Sequence, residues 1–191
     1  MAPKPESAPT SNETTVQRTS DFELVVRRIF NAPADIVFGA WTDAALFKQW
    51  WVPKSMNLSL LSCEMDVRVG SGYRLEFRSG DSGSVAFFGR YLEVIPHVKV
   101  VWTNDESADG PITTVTFEER DGATHLTLHE RYPSRDTLDA AGTSSAEAMG
   151  EIFGQLDELL IRRSANGSHP GSESRTGAPP KSTGDAGGTN D

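Results

Sequence analysis

His125 and His129 are the residues whose types and spacing first suggest chemistry, because two imidazoles four positions apart on a helix can bind one zinc ion. Their segment, residues 124–131, instead alternates polar and apolar side chains, which is typical of a β-strand. Four residues of strand span roughly 13 Å, which is too far for both rings to reach the same ion. The sequence therefore predicts no metal site.

Cys63 is the second candidate, since a thiolate can act as a nucleophile. It is the only cysteine in the chain, so no internal disulfide can form. No histidine lies nearby in sequence, so we expect a buried, unreactive thiol, and a pair with His97 in the folded chain stays the alternative. No glycine-rich phosphate loop connects a strand to a helix, so we predict neither nucleotide binding nor another cofactor.

Glu130 is the third candidate, because a carboxyl group inside a fold can bind a ligand or transfer a proton. It shares the parity of Leu126 and Leu128 in the predicted strand, which would direct its side chain toward the interior. A buried carboxyl group needs a partner or a raised pKa. The alternative is that the strand has ended and that Glu130 contacts Arg131 or solvent.

Residues 144–163 are the only long segment with a helical period of apolar residues, and the other elements must be arranged around it. Ser144 and Glu147 predict a capping box at its start. Gly150 and Gly154 flank the apolar stripe and leave space beside the helix. Either the sheet packs closely against the helix there, or the space holds a ligand. The apolar stripe comprises Met149, Ile152, Phe153, Leu156, Leu159 and Leu160, and the opposite face comprises Glu147, Glu151, Gln155 and Glu158.

The segment before this helix predicts mostly strands. Residues 22–30 form a first strand, and two short helices follow, the second capped by Asp43. About six strands then follow between residues 56 and 131, and Asp121-Gly122 is a strong hairpin signal between two of them. These features predict an α+β fold with a curved antiparallel sheet wrapped around the long C-terminal helix.

Charge and composition exclude several classes of function. The formal net charge of −9 argues against a general affinity for nucleic acid or for anionic membranes. No apolar run is long enough to span a bilayer and no secretion signal is recognisable, so we expect a cytoplasmic protein. Residues 1–19 and 164–191 have the composition of disordered segments, which leaves one domain over residues 20–163.

Four stretches of the sequence resemble the SRPBCC superfamily, which has the START-like or Bet v-like helix-grip fold. Within it, the chain resembles the bacterial branch related to activators of the heat-shock protein 90 ATPase. The stretches are FNAPADIVFGAWTDAALFKQWWVPK (30–54), CEMDVRVGSGYRLEF (63–77), FFGRYLEVIPHVKVVWT (87–103) and GQLDELL (154–160). The resemblance implies a deep cavity between sheet and C-terminal helix, in which many relatives hold apolar small molecules. Some relatives act as cyclases, and the eukaryotic activators stimulate a chaperone.

We interpret the chain as a monomer or homodimer that binds a small hydrophobic or aromatic molecule non-covalently, with no catalytic residue. One alternative is a stress-related protein-binding factor or chaperone cofactor. The other is a cyclase or dehydratase in which Glu130, a tyrosine or a histidine supplies the acid and base. Trp50 and Trp51 point about 100° apart if they are helical, so we expect one of them to line an entrance and Trp41 to lie in the core. The residues predicted to line the cavity are Tyr73, Phe77, Phe87, Tyr91, Trp102, Phe117, Glu130, Gly150, Phe153 and Gly154.

Overall fold

Eight antiparallel strands form a continuous sheet in the computed structural model, which describes residues 12–56, 58–79, 83–141 and 144–167. The order across the sheet is β1-β2-β8-β7-β6-β5-β4-β3. The strands are β1 (Thr15–Ser20), β2 (Glu23–Phe30), β3 (Leu58–Met65), β4 (Gly72–Ser79), β5 (Ser84–Ile95), β6 (Lys99–Thr103), β7 (Ile112–Arg120) and β8 (Ala123–Arg131). The helices are α1 (Ala34–Thr42), α2 (Ala44–Phe47), α3 (Arg135–Ala141) and α4 (Ser144–Gly167), and a 3₁₀ turn spans Lys54–Met56. The predicted α+β helix-grip fold is confirmed.

The β7–β8 hairpin turns at Asp121 and Gly122, as the sequence predicts. Their φ angles are 52° and 77°, so both residues adopt the left-handed conformation that a tight two-residue hairpin requires. In β8, which follows this turn, Leu126 and Leu128 are buried and alternate with less buried polar residues. The turn therefore sets the register that directs one face of the hairpin into the core.

The sheet bends at β5, which is the longest strand. Residues 84–90 pair with β4, whereas residues 91–95 pair with β6. At the change of partner, a Cβ atom on Gly89 would lie 1.8 Å from the Thr103 carbonyl oxygen, so only glycine allows this close approach. Gly89 therefore lies where β5 passes from one partner strand to the other.

The long helix α4 packs against β1, β2 and α1. Phe153 and Leu156 are completely buried, and the Phe153 ring meets Phe30 edge-on at 5.6 Å between centroids. A partly buried ion pair between Arg28 and Asp157 also joins β2 to α4. Residues predicted for the apolar stripe of this helix therefore do form the core.

Gln155 corrects the prediction for the opposite face of α4, because it is only 6% exposed. Its Nε2 donates to the carbonyl oxygens of Trp50 and Val52 at 2.7 and 2.8 Å, and its Oε1 accepts from the Lys54 amide at 3.1 Å. The segment after α2 covers this part of the helix, and Gln155 satisfies backbone groups that would otherwise be buried without partners.

The N-terminal boundary was also predicted wrongly. Thr15–Ser20 was assigned to a disordered arm, yet it pairs with β2 at the edge of the sheet. Most of its side chains are exposed, so backbone hydrogen bonds hold it there and the burial pattern gives no signal. At the other end, α4 continues to Gly167, beyond the predicted limit at residue 163.

Three further details differ from or lie beyond the predictions. The segment Arg135–Ala141 is a helix, although it was expected to be a loop or a fraying turn. The strand expected over residues 56–63 is shifted to Leu58–Met65. The side chains of Ser144 and Glu147, which were predicted to form a capping box, lie outside the described part of the structure. None of the described helices is long and apolar enough to cross a membrane.

Candidate functional site

A cavity of about 270 Å³ opens between the bent sheet and the helices that cover it. This volume is slightly below the roughly 300–1,000 Å³ of typical small-molecule sites, so it suits a small ligand. Most of its walls are aromatic, and the remainder is largely aliphatic or thioether. The lining residues are Trp41, Phe47, Trp51, Met65, Tyr73, Leu75, Phe77, Phe87, Tyr91, Val100, Trp102, Asn104, Glu130 and Met149.

The cavity lining includes only part of the predicted site. The sheet residues reach it because alternate side chains of neighbouring strands project from the same face. The predicted residues that line it are Tyr73, Phe77, Phe87, Tyr91, Trp102 and Glu130. The predicted residues that do not line it are Phe117, Gly150, Phe153 and Gly154.

Phe117 and Phe153 lie behind the cavity wall, in the packed core. Phe117 is 3% exposed and meets Trp41 edge-on at 6.1 Å, and Phe153 meets the same indole at 6.2 Å. Trp41 therefore separates both rings from the cavity. Both rings pack against that indole rather than lining the cavity.

Gly150 and Gly154 are also outside the cavity. A Cβ atom on either residue would meet nothing within 4 Å, so the predicted space beside the helix exists. The helix turns about 100° per residue, so Met149, which does line the cavity, directs its side chain away from both glycines. A large side chain at residue 154 would consequently not fill the cavity.

Trp50 and Trp51 differ in burial, as the sequence predicted. Trp50 is completely buried, and its indole Nε1 donates to the Ala40 carbonyl oxygen at 3.0 Å. Trp51 is half-buried, lines the cavity and stacks on Phe47 at 4.8 Å between centroids.

One end of the cavity is polar. Tyr91, Trp102, Thr113 and Glu130 are successive cross-strand neighbours on β5, β6, β7 and β8. They therefore form one row across the sheet. The row continues to Leu24 on β2, and Glu130 is its last member on this side that lines the cavity. The largely buried Glu130 carboxylate accepts a hydrogen bond from the Tyr132 hydroxyl at 3.0 Å. Burial raises the pKa of Glu130, and the Tyr132 hydrogen bond acts in the opposite direction.

Asn104 supplies a second polar group at this end. Its Nδ2 donates to the Pro111 carbonyl oxygen at 2.9 Å and to Thr113 Oγ1 at 3.0 Å. The Tyr73 hydroxyl lies 3.0 Å from Asn104 Oδ1 and 3.1 Å from the Thr103 carbonyl oxygen, and can donate to either. These bonds fix the amide in one orientation.

The tyrosines of the cavity are neutral hydrogen-bonding groups. Burial raises the pKa of Tyr73 and of Tyr91, so the phenolate forms are disfavoured. Neither hydroxyl is therefore suited to act as a general base at neutral pH. Both can orient a polar group of a bound molecule.

Cys63 and the histidines lie apart from this site. The Cys63 sulfur lies 4.0 Å from the Ala44 carbonyl oxygen, and burial raises the pKa of its thiol. His97 instead packs edge-on against Phe38, and the described contacts include none between it and Cys63. His125 and His129 lie on β8, as predicted, and the described residues contain no group of three or more side chains able to hold a metal ion.

Several lining residues were not predicted. Trp41 was assigned to the core, and it is 4% exposed, yet one side of its ring borders the cavity. Asn104 lies just beyond β6, and continuing the parity of Val100 and Trp102 by one step would have identified it. Leu75 shares the parity of Tyr73 and Phe77 on β4, and alternation places it inward. Met65 reaches the cavity through its pairing with Tyr73, and Phe47 reaches it from α2, and neither position follows from alternation within one strand.

A family model described as Activator of Hsp90 ATPase homolog 1-like protein matches residues 31–161. A solved structure from Rhodobacter sphaeroides is 21% identical, with a TM-score of 0.72, and the match covers 78% of this chain and 99% of that chain. A protein of Nitrosomonas europaea is 19% identical, with a TM-score of 0.69, and the match covers 77% of this chain and 99% of that chain. A protein of Chromobacterium violaceum is 27% identical, with a TM-score of 0.62, over 73% of this chain and 97% of that chain. No curated protein matches the chain.

Proposed function

Because the chain belongs to the family of Activator of Hsp90 ATPase homolog 1-like proteins, we propose that it binds a small apolar or aromatic molecule non-covalently in the cavity between sheet and helices. The observation that carries this proposal is the cavity lining, in which aromatic walls surround a few fixed polar groups. Small-molecule sites commonly combine these features, since apolar surface supplies affinity and convergent polar groups supply orientation.

A pair of variants tests the proposal. Val100 lines the cavity, and Val101, the next residue of β6, projects from the opposite face of the sheet. Val100→Phe places extra ring atoms inside the cavity, whereas Val101→Phe makes the same chemical change outside it. We expect the affinity for 2-naphthalenemethanol, a small neutral aromatic probe, to fall at least about tenfold in Val100→Phe and to stay unchanged in Val101→Phe. Tryptophan fluorescence measures it, and equal affinities in folded variants would contradict the proposal.

A second candidate function is supported by the description of the matched family, which refers to the Hsp90 ATPase. On that account the chain would bind a chaperone through its outer surface and stimulate ATP hydrolysis. The ATPase rate of purified Hsp90 with and without the chain tests it. Stimulation that is equal for the wild type and Val100→Phe would favour this function over ligand binding.

A further inference from the structure

Among the described lining residues, Glu130 is the one carboxyl group, and none of them is a lysine, an arginine or a histidine. The bond from Tyr132 is the one hydrogen bond to the Glu130 carboxylate among the described residues. A carboxylate has about four lone-pair sites, so most of its capacity to accept hydrogen bonds is unused. The polar end of the cavity can therefore accept further hydrogen bonds from a donor that the described residues do not supply.

None of the ion pairs among the described residues involves this carboxylate. An ionised carboxylate in apolar surroundings is costly unless a cation or several donors face it. The raised pKa of Glu130 reflects that cost, and the neutral Tyr132 hydroxyl offsets only part of it. A positively charged group on a ligand would supply the missing charge.

The aromatic walls favour the same kind of ligand. Trp102 lies in the same cross-strand row as Glu130, separated from it by the small side chain of Thr113. The Trp41 ring lies 6.3 Å from that of Trp102, between centroids. Faces of aromatic rings attract organic cations, and most strongly where water is excluded.

The other end of the cavity is apolar. Phe77 and Phe87 meet edge-on at 5.4 Å between ring centroids, and Phe87 is 46% exposed, so this end reaches the surface. A molecule that spans the cavity would meet hydrophobic rings near the surface and a carboxylate at the far end. This polarity matches an amphiphile with a cationic head.

We propose that the ligand is a hydrophobic organic cation, an amine of about the size of one bicyclic ring, whose ammonium group contacts Glu130 beside Trp102. This inference rests on the proposed function and specifies the ligand class of the same cavity. The ammonium hydrogens would donate to the Glu130 oxygens, and the Tyr132 hydroxyl would keep the carboxylate in place. The apolar body would extend toward Phe77 and Phe87.

Three matched probes test the inference at neutral pH: 2-naphthylmethylamine, which is cationic, 2-naphthalenemethanol, which is neutral, and 2-naphthoate, which is anionic. We expect the amine to bind the wild-type chain about tenfold more tightly than the alcohol, a factor typical of one desolvated cationic contact. The carboxylate should bind most weakly, because its charge would be buried in a cavity whose described lining contains no cation. Calorimetric titration measures all three affinities.

Glu130→Gln keeps the size of the side chain and removes its charge, so the ratio of amine to alcohol affinity should fall to about one. The ratio within one variant corrects for any general change in the cavity, and a thermal unfolding transition shows that the variant is folded. Glu64→Gln removes the same charge from an exposed position on β3 and should keep the preference. If the alcohol binds the wild type and the amine binds no more tightly, the inference is wrong and the proposed function stands. If none of the probes binds, both are wrong.

Discussion

The Tyr132 hydroxyl lies 3.0 Å from the Glu130 carboxylate and donates to it at the polar end of the cavity. The two residues are two positions apart, so β8 and the residues that follow it provide both partners of this bond. The pair links a titratable group to a cavity whose other walls are largely apolar. Its behaviour with pH is therefore measurable through the stability of the fold.

Glu130→Gln should change how stability depends on pH. Burial raises the folded pKa of Glu130 above its ordinary value of 4.5, so the folded chain holds this proton at pH values where the unfolded chain releases it. The stabilising contribution is complete below that ordinary pKa and is lost as the pH rises through the folded value. Glu130→Gln removes this loss, which amounts to about 1.4 kcal/mol for each pKa unit between the two states.

Urea unfolding of wild type and Glu130→Gln from pH 4 to pH 7 measures the difference. The variant should gain stability relative to the wild type as the pH rises. In the wild type, the hydrogen bond from Tyr132 lowers the pKa of Glu130. Tyr132→Phe removes this bond and should raise that pKa further, so this variant should lose stability relative to the wild type as the pH rises. Curves that stay parallel for Glu130→Gln would show that the carboxyl group titrates normally.

Gln155→Met should destabilise the fold by about 2–3 kcal/mol, because it leaves backbone groups of residues 50–54 buried without partners. Three hydrogen bonds to Trp50, Val52 and Lys54 are lost, while the size of the side chain is nearly kept. Glu158→Gln on the same helix is the control, because its exposed contact with Lys54 contributes less than about 0.5 kcal/mol. Equal urea midpoints for the two variants would contradict the role assigned to Gln155.

Gly154→Ala should stabilise the fold by up to about 1 kcal/mol, because alanine favours a helix and its Cβ atom meets open space. Gly89→Ala should instead cost about 1–3 kcal/mol, since a Cβ atom there collides with the Thr103 carbonyl group. Thermal unfolding compares them. Because Gly154 lies outside the cavity, Gly154→Ala should also keep the affinity for 2-naphthalenemethanol. A loss of affinity would show that Gly154 belongs to the binding site.

The sequence predicted the sheet side of the cavity well, because strand alternation fixes which side chains share a face. Tyr73, Phe77 and Trp102 follow directly from that period. The predicted membership of the SRPBCC superfamily, in the branch of the Hsp90 ATPase activators, is also confirmed by the match over residues 31–161. Both predictions depend on local patterns, which a single sequence contains.

The helix side was predicted less well, for a physical reason. Which residues of α4 face the cavity depends on how the helix is rotated and on what covers it, and neither is a local property. The segment of residues 50–54 covers Gln155, which therefore becomes buried although it lies among charged residues in sequence. Met65 likewise reaches the cavity through its pairing with Tyr73 across β3 and β4, which is not a local property of the sequence.

The most direct test of ligand binding in this cavity is an NMR titration of the chain labelled with ¹³C at its methionine methyl groups. Met65 and Met149 line the cavity, whereas Met56 is 55% exposed and lies outside it. Saturation with 2-naphthylmethylamine should shift the methyl signals of Met65 and Met149 through the ring current of the ligand and leave Met56 unchanged. A shift confined to Met56, or no shift of Met65 and Met149 at saturation, would show that the molecule binds elsewhere.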